Sequence, residues 1–263
     1  MRRNWTRPEL ILAMNLYCHL PFGKLSTGTK EIVALATALG RTPSSVSMKL
    51  NNLASLDPFH QERGVKGLPG ASNADRAIWH EFHGDWTRLA IESEALREQY
   101  GLTPHSDPSP EPAPDPAHDP AHEPTFTGET ERTAQVQVRV AQRFFRSTVL
   151  ASYESKCCIS GIDSRPLLVA SHIRPWSGHP EHRANPCNGL CLSRLHDAAF
   201  DFGLITLDEE HRLVLSRQLS AATTNDLHRT AFLAHAGKTI RLPLRFRPDP
   251  EALAFHRNSV FLT

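Results

Sequence analysis

The chain has 263 residues, 40% hydrophobic and 22% charged, with a formal net charge of +1. That length allows two ordinary domains with separate cores. No apolar run reaches the roughly 20 residues of a membrane crossing, and the opening residues Met1 to Trp5 lack the apolar stretch of a secretory signal, so the cytoplasm is the expected address and no membrane partner is expected. Five cysteines, an odd number in a chain this long, argue against a secreted disulfide framework.

Charge is unevenly spread. Residues 1 to 56 hold seven Lys/Arg against two acids, and residues 131 to 263 hold 17 against 12, so each end carries +5. Residues 101 to 130 hold six acids and no Lys or Arg. Two basic ends joined by an acidic tether are compatible with a polyanionic partner, and equally with ordinary charge scatter.

In chain order, "WTRPELILAMNLYCHL" predicts a first helix, with Thr6 as N-cap, Glu9 completing a capping box, and Trp5 against Leu10 as a hydrophobic staple. "TKEIVALATALG" predicts a second, with Ile32, Leu35, Ala36 and Leu39 on one face and Gly40 ending it. "RTPSSVSMKLNNLASL" then restarts a helix at Thr42 and Pro43, with Val46, Leu50 and Leu53 as the buried stripe. Two helices joined by a Gly-Arg-Thr turn have the form of a helix-turn-helix. The outward residues expected to meet DNA are Arg41, Ser44, Ser45, Lys49 and Asn52; a plain three-helix domain uses the same turn. A glycine-rich segment, "FHQERGVKGLPGASN", reads as a wing or a loop. Beyond it, "ADRAIWHEFHGDWTRLAIESEALREQYG" predicts one or two further helices with Trp79, Phe82 and Trp86 in the core. Residues 1–100 are therefore expected to form a helical, helix-turn-helix or winged-helix-like recognition domain.

From Thr103 the chain alternates proline with Asp, Glu, Ala and His, and eight of its 20 prolines fall here. Such a segment cannot form a helix and has little to bury, so residues 101–130 are expected to be a solvated linker.

Residues 131–263 make the second domain. "ERTAQVQVRVAQRFFRSTVLASY" predicts an amphipathic helix with Phe144, Phe145, Val149 and Leu150 inward. "PLLVASHI" predicts a strand ending near His172. A loop through "RPWSGHPEHRANPC" follows, then a strand in "NGLCLS" and a helix starting near Arg194 that carries His196. "GLITLDEEHRLVLS" predicts a hairpin turning at Asp208 to Glu210.

Strand, histidine, loop with asparagine, strand, helix with histidine is a specific order. With "FRSTVLASYESKCCISG" before it and "HDAAFDFGLIT" after it, the segment resembles the HNH endonuclease family, in particular its prokaryotic restriction-type branch. The resemblance runs from about Val138 to Asp208, with "AFHRNSVF" matching the end of such proteins. It implies a ββα-metal fold, and with the helical front domain an α+β chain.

The resemblance places His172, Asn188 and His196 in the three named catalytic positions. His172, neutral near pH 7, suits a general base for phosphodiester hydrolysis; Asn188 can brace the loop through its amide; His196 would ligate one divalent metal ion, with Mg2+ expected and Mn2+ or Ni2+ as alternatives. Many members carry an acid or histidine just before the base, where this chain has Ser171, so Ser171 through a water, or Asp201 or Asp197, would complete the coordination. Asp201 could equally cap a turn or hold His196. Arg174 and Arg183 are candidates for bidentate phosphate contact. The cysteines lack the two Cys-x-x-Cys pairs of a structural zinc site, so none is expected.

The expected function is a metal-dependent endonuclease on double-stranded DNA, a restriction enzyme that could read a modified base. An HNH defence effector or toxin with nonspecific cleavage, and a DNA-binding protein with a degenerate nuclease site, stand beside it. Cleavage of both strands would suit a homodimer.

Overall fold

The computed structural model describes residues 3–62, 70–102, 129–176, 178–221 and 225–263. Residues 103–128 of the proline-rich linker and 63–69 of the glycine-rich segment lie outside these residues. The chain divides into two compact units at Tyr153. Among the described residues, no helix is long and apolar enough to cross a membrane.

The first unit is helical throughout its described residues. α1 (Arg7–His19) is buried at every position from Glu9 to Cys18, because α2, α3, α5, α6 and α7 surround it. A helix buried on all sides needs apolar residues all round, which "LILAMNLYC" supplies. The Thr6 N–H donates to Glu9 Oε2 at 2.8 Å, one half of the expected capping box. α2 (Lys30–Leu39) buries Ile32, Leu35, Ala36 and Leu39 and stops at Gly40, whose φ of 61° lies in the left-handed region that glycine enters without strain. α3 (Pro43–Ala54) begins on Thr42, whose hydroxyl accepts from the Ser45 N–H at 3.2 Å, and buries Val46, Leu50 and Leu53. The short α4 (Pro58–Glu62) precedes α5 (Asn73–His83) and α6 (Trp86–Gln99). Trp79, Phe82 and Trp86 are core residues, as expected.

α7 (Glu129–Ser152) packs on α1 and α6 of this unit. Phe144 sits edge-on to His19, with ring centres 5.2 Å apart, and stacks with Trp86 at 6.4 Å. The amphipathic helix expected at the head of the second domain thus belongs to the first compact unit. Its apolar stripe announces that it is covered, and does not announce by what.

The second unit is built on an antiparallel hairpin, β1 (Leu168–His172) with β2 (Gly189–Ser193), in a register that pairs His172 with Gly189 and Leu168 with Ser193. α8 (Arg194–Asp201) follows β2 directly and packs back across both strands. A second hairpin joins β3 (Ile205–Leu207) to β4 (Leu213–Leu215). Its turn is held by Asp208 Oδ1, which accepts from the N–H groups of Glu210 and Arg212 at 3.0 and 2.7 Å. The tail adds α9 (Arg217–Ala221), α10 (Asp226–Ala231) and α11 (Pro250–Ser259). α11 packs on β3. Its His256 stacks on Phe200 of α8 with ring centres 3.6 Å apart, while its Nε2–H donates to the Phe200 carbonyl at 3.1 Å and its Nδ1 accepts from the Thr206 hydroxyl at 2.9 Å. A helical front unit and a second unit with two small sheets make the chain α+β.

Candidate active site

The end of β1 delivers His172 into the loop that joins it to β2. Its ring Nε2 lies 3.0 Å from the Arg183 carbonyl. A carbonyl can only accept, so Nε2 carries the proton and the lone pair of the neutral ring is on Nδ1. Trp176 stands edge-on to this ring at 5.4 Å. Trp176 also meets Arg183, whose guanidinium carbon is 5.0 Å from the indole centre and whose Nε donates to the Trp176 carbonyl at 2.9 Å. Trp176 therefore ties the histidine to the arginine, a role that the loop motif "RPWSGH" did not disclose.

Asn188 is buried just before β2. Its Oδ1 accepts from the Arg174 N–H at 2.8 Å, its Nδ2 donates to the Arg174 carbonyl at 3.2 Å, and its own carbonyl accepts from the Ile173 N–H at 2.9 Å. The two residues after His172 are thus fastened across the hairpin. The Arg174 guanidinium lies over the Phe255 ring of α11 at 5.5 Å. His179 also meets Phe255, at 5.0 Å, and with His182 flanks the exposed Glu181 at 3.6 and 3.5 Å.

His196 occupies the first turn of α8 and is 1% exposed. Ser193, the N-cap, has its hydroxyl 2.8 Å from His196 Nδ1. The Cys157 Sγ is 3.6 Å from the same nitrogen. Nε2 lies 2.9 Å from the Ala231 carbonyl of α10, and Phe232 stands edge-on to the ring at 5.5 Å. Burial pushes the Cys157 thiol up, but the contact with His196 and backbone N–H groups of Ser160 and Ile159 outweigh it and bring it down to about 6. Burial pushes the His196 ring the opposite way, and Cys157 and the Ala231 carbonyl again prevail, leaving it raised.

The remaining metal candidates do not join it. Ser171 is adjacent to His172 in a strand, so it faces the opposite side of the hairpin; it is 3% exposed and its hydroxyl has no hydrogen-bond partner among the described residues. Asp201 is exposed at the end of α8. Among the described residues, no three His, Cys, Asp or Glu side chains come together in a way that could hold a metal ion.

The expected outward row of α3 needs correction. Arg41 donates to Glu9 through Nε at 3.0 Å and Nη2 at 2.7 Å, and lies over Trp5 at 4.1 Å. Lys49 is buried and pairs with the fully buried Asp75 at 2.6 Å. Asn52, also buried, donates to the Gly70 carbonyl at 3.2 Å. The reason is helical geometry: Lys49 stands four residues before Leu53, about 40° away around the axis, and so falls inside the buried arc. Ser44 is exposed and Ser45 partly so.

Residues 157–208 match the family model of the HNH endonucleases. The span covers β1, β2, α8 and β3, and it supports an HNH family for this part of the chain. No curated protein matches the chain. The matched domain points to a nuclease, a hydrolase that acts on DNA. HNH nucleases typically use a divalent metal ion; the residues around His196, with both ring nitrogens engaged, do not fit one.

Proposed function

We propose that the second unit hydrolyses phosphodiester bonds of double-stranded DNA with His172 as general base. The observation that carries this reading is the Nε2–H bond from His172 to the Arg183 carbonyl at 3.0 Å. It fixes the ring and its tautomer, with the lone pair of the neutral ring on Nδ1. In the reaction, water oxygen bonds to phosphorus, its proton passes to His172 Nδ1, and the bond from phosphorus to the leaving sugar oxygen breaks. Arg183, half-buried against Trp176, and Arg174, over Phe255, present guanidinium groups for the phosphate oxygens. Asn188 holds the loop that carries them, so proximity and orientation are set before DNA arrives.

The first unit, residues 1–100 with the long helix α7, is the recognition part. Its helix-turn-helix form over α2 and α3 and the exposed Ser44 support that role, and Ser45 is a second contact. The whole is a restriction enzyme, one whose choice of DNA depends on base modification, working as a homodimer where both strands are cut. A second reading, a DNA-binding protein with a degenerate nuclease site, is favoured by the absence of a ligating cluster among the described residues. The test is to offer the purified chain the same plasmid in unmodified, adenine-methylated and cytosine-modified form, with Mg2+, Mn2+ and Ni2+ in turn. Cleavage that differs between forms supports the restriction reading; equal cleavage of all forms supports a nonspecific effector; binding with no cleavage in any ion supports the degenerate one.

A further inference from the structure

We infer that His196 is an internal brace that locks α8 to the hairpin and to α10, and is not a ligand of a catalytic metal. The ring is 1% exposed and each nitrogen already has a protein partner: Ser193 and Cys157 at Nδ1, the Ala231 carbonyl at Nε2. A carbonyl has no hydrogen to give, so the proton of that bond resides on Nε2 in both charge states of the ring, and a protonated nitrogen has no lone pair for a cation. A metal at Nδ1 would displace the Ser193 hydroxyl. That hydroxyl also caps α8 by accepting from the His196 N–H, at 3.4 Å, so the helix would lose its cap as well.

Helical geometry separates His196 from the acids beside it. At about 100° per residue, Asp197 and Asp201 lie roughly 100° and 140° around α8 from His196. His196 shares its face with Ala199 and Phe200, which are buried in the core. One cation cannot be held by the buried face and by the exposed Asp201 together without unwinding the helix. The three partners of the ring come from residue 157, residue 193 and residue 231, so the bonds join parts of the unit that are far apart in sequence. This is how a buried polar residue fixes one arrangement of a small core.

The inference holds whether or not the unit cuts DNA, and its test does not use activity. In the full chain labelled with 15N at histidine, long-range 1H–15N correlation spectra are expected to show a slowly exchanging His196 Nε2 proton that persists, with unshifted ring nitrogens, on titration with Zn2+. Loss of that proton, or a shift of either His196 nitrogen to a metal-bound position, overturns the inference. His196→Gln gives an independent reading. Its melting temperature is expected to fall by roughly 5–10 °C, while Mn2+ affinity, read by electron paramagnetic resonance, is unchanged. A drop of about tenfold or more in Mn2+ affinity of the folded variant, the size expected when a metal site loses a supporting group, contradicts it. If His196→Gln does not fold, the spectra of the natural chain still decide.

Discussion

Asn188 grips Arg174 at both backbone groups: its Oδ1 accepts from the Arg174 N–H at 2.8 Å and its Nδ2 donates to the Arg174 carbonyl at 3.2 Å. One side chain thereby satisfies a donor and an acceptor of the loop that leaves His172. Each bond to a buried partner is worth about 1 kcal/mol net, with a larger cost when the partner is left unsatisfied. Asn188→Ala is expected to cost about 2–4 kcal/mol in a urea titration and to lower the cleavage rate far more than DNA affinity. Asn188→Asp, which keeps the acceptor and loses the donor, should fall between. A variant as stable and as active as the natural chain would show that the clamp does not position the base.

The buried pair of Lys49 and Asp75 makes a prediction opposite to the one that the charge of Lys49 invites. Lys49→Met leaves a fully buried carboxylate without its partner, a change that typically costs about 3–5 kcal/mol. The expected result is a large loss of stability, with the salt dependence of DNA binding by the folded protein unchanged. A shallower salt dependence with little loss of stability would return Lys49 to the DNA surface.

His256 gives the second unit a dependence on acid. Burial pushes its imidazole down to about 4, against the bond to the Phe200 carbonyl, which favours the charged form. An unfolded histidine titrates near 6.5. A group whose pKa is depressed on folding contributes its full stability above the unfolded value, and that contribution drains away as pH falls towards the folded value. Between about pH 6.5 and pH 4 the unit should lose up to about 3 kcal/mol from this residue. Chemical denaturation of the natural chain and of His256→Gln across that range measures it: the variant starts less stable and declines less steeply. Parallel declines would clear His256 of the effect.

Gly203 follows α8 with φ of 66°, and a Cβ there would stand 2.1 Å from the Val260 carbonyl oxygen. The C-terminal segment passes too close for any side chain, and the Leu262 N–H bonds back to the Gly203 carbonyl at 2.9 Å. Gly203→Ala is expected to cost roughly 3–5 kcal/mol or to prevent folding of the unit. A thermal melt within about 1 °C of the natural chain would contradict that close approach.

What the sequence disclosed was local. Gly40, Thr42 and Pro43 carry their own turn and cap chemistry, and α2 and α3 stand where those residues place them. The order of strand, histidine, asparagine, strand and helix likewise emerged from short-range pattern, because β1, β2 and α8 are nearly contiguous. What escaped were partners distant in sequence. The arc of Val46, Leu50 and Leu53 already contains Lys49, but the partner that lets its charge be buried is Asp75, 26 residues away. The fate of the His196 ring depends on Cys157, 39 residues before it, and on Ala231, 35 residues after it. The allegiance of α7 to the first unit depends on the rings of His19 and Trp86. A residue type names the chemistry available, and only packing decides whether it is spent within the core or presented to a substrate.

His172 is proposed to take the proton from water in DNA hydrolysis. The most direct measurement is single-turnover cleavage of a supercoiled plasmid by the natural chain and by His172→Ala, with DNA binding measured on the same samples. The expected result is cutting by the natural chain and a loss of about a hundredfold or more in the variant, with DNA affinity and melting temperature preserved. Equal cutting by both proteins, or tight DNA binding by a natural chain that never cuts, would contradict it.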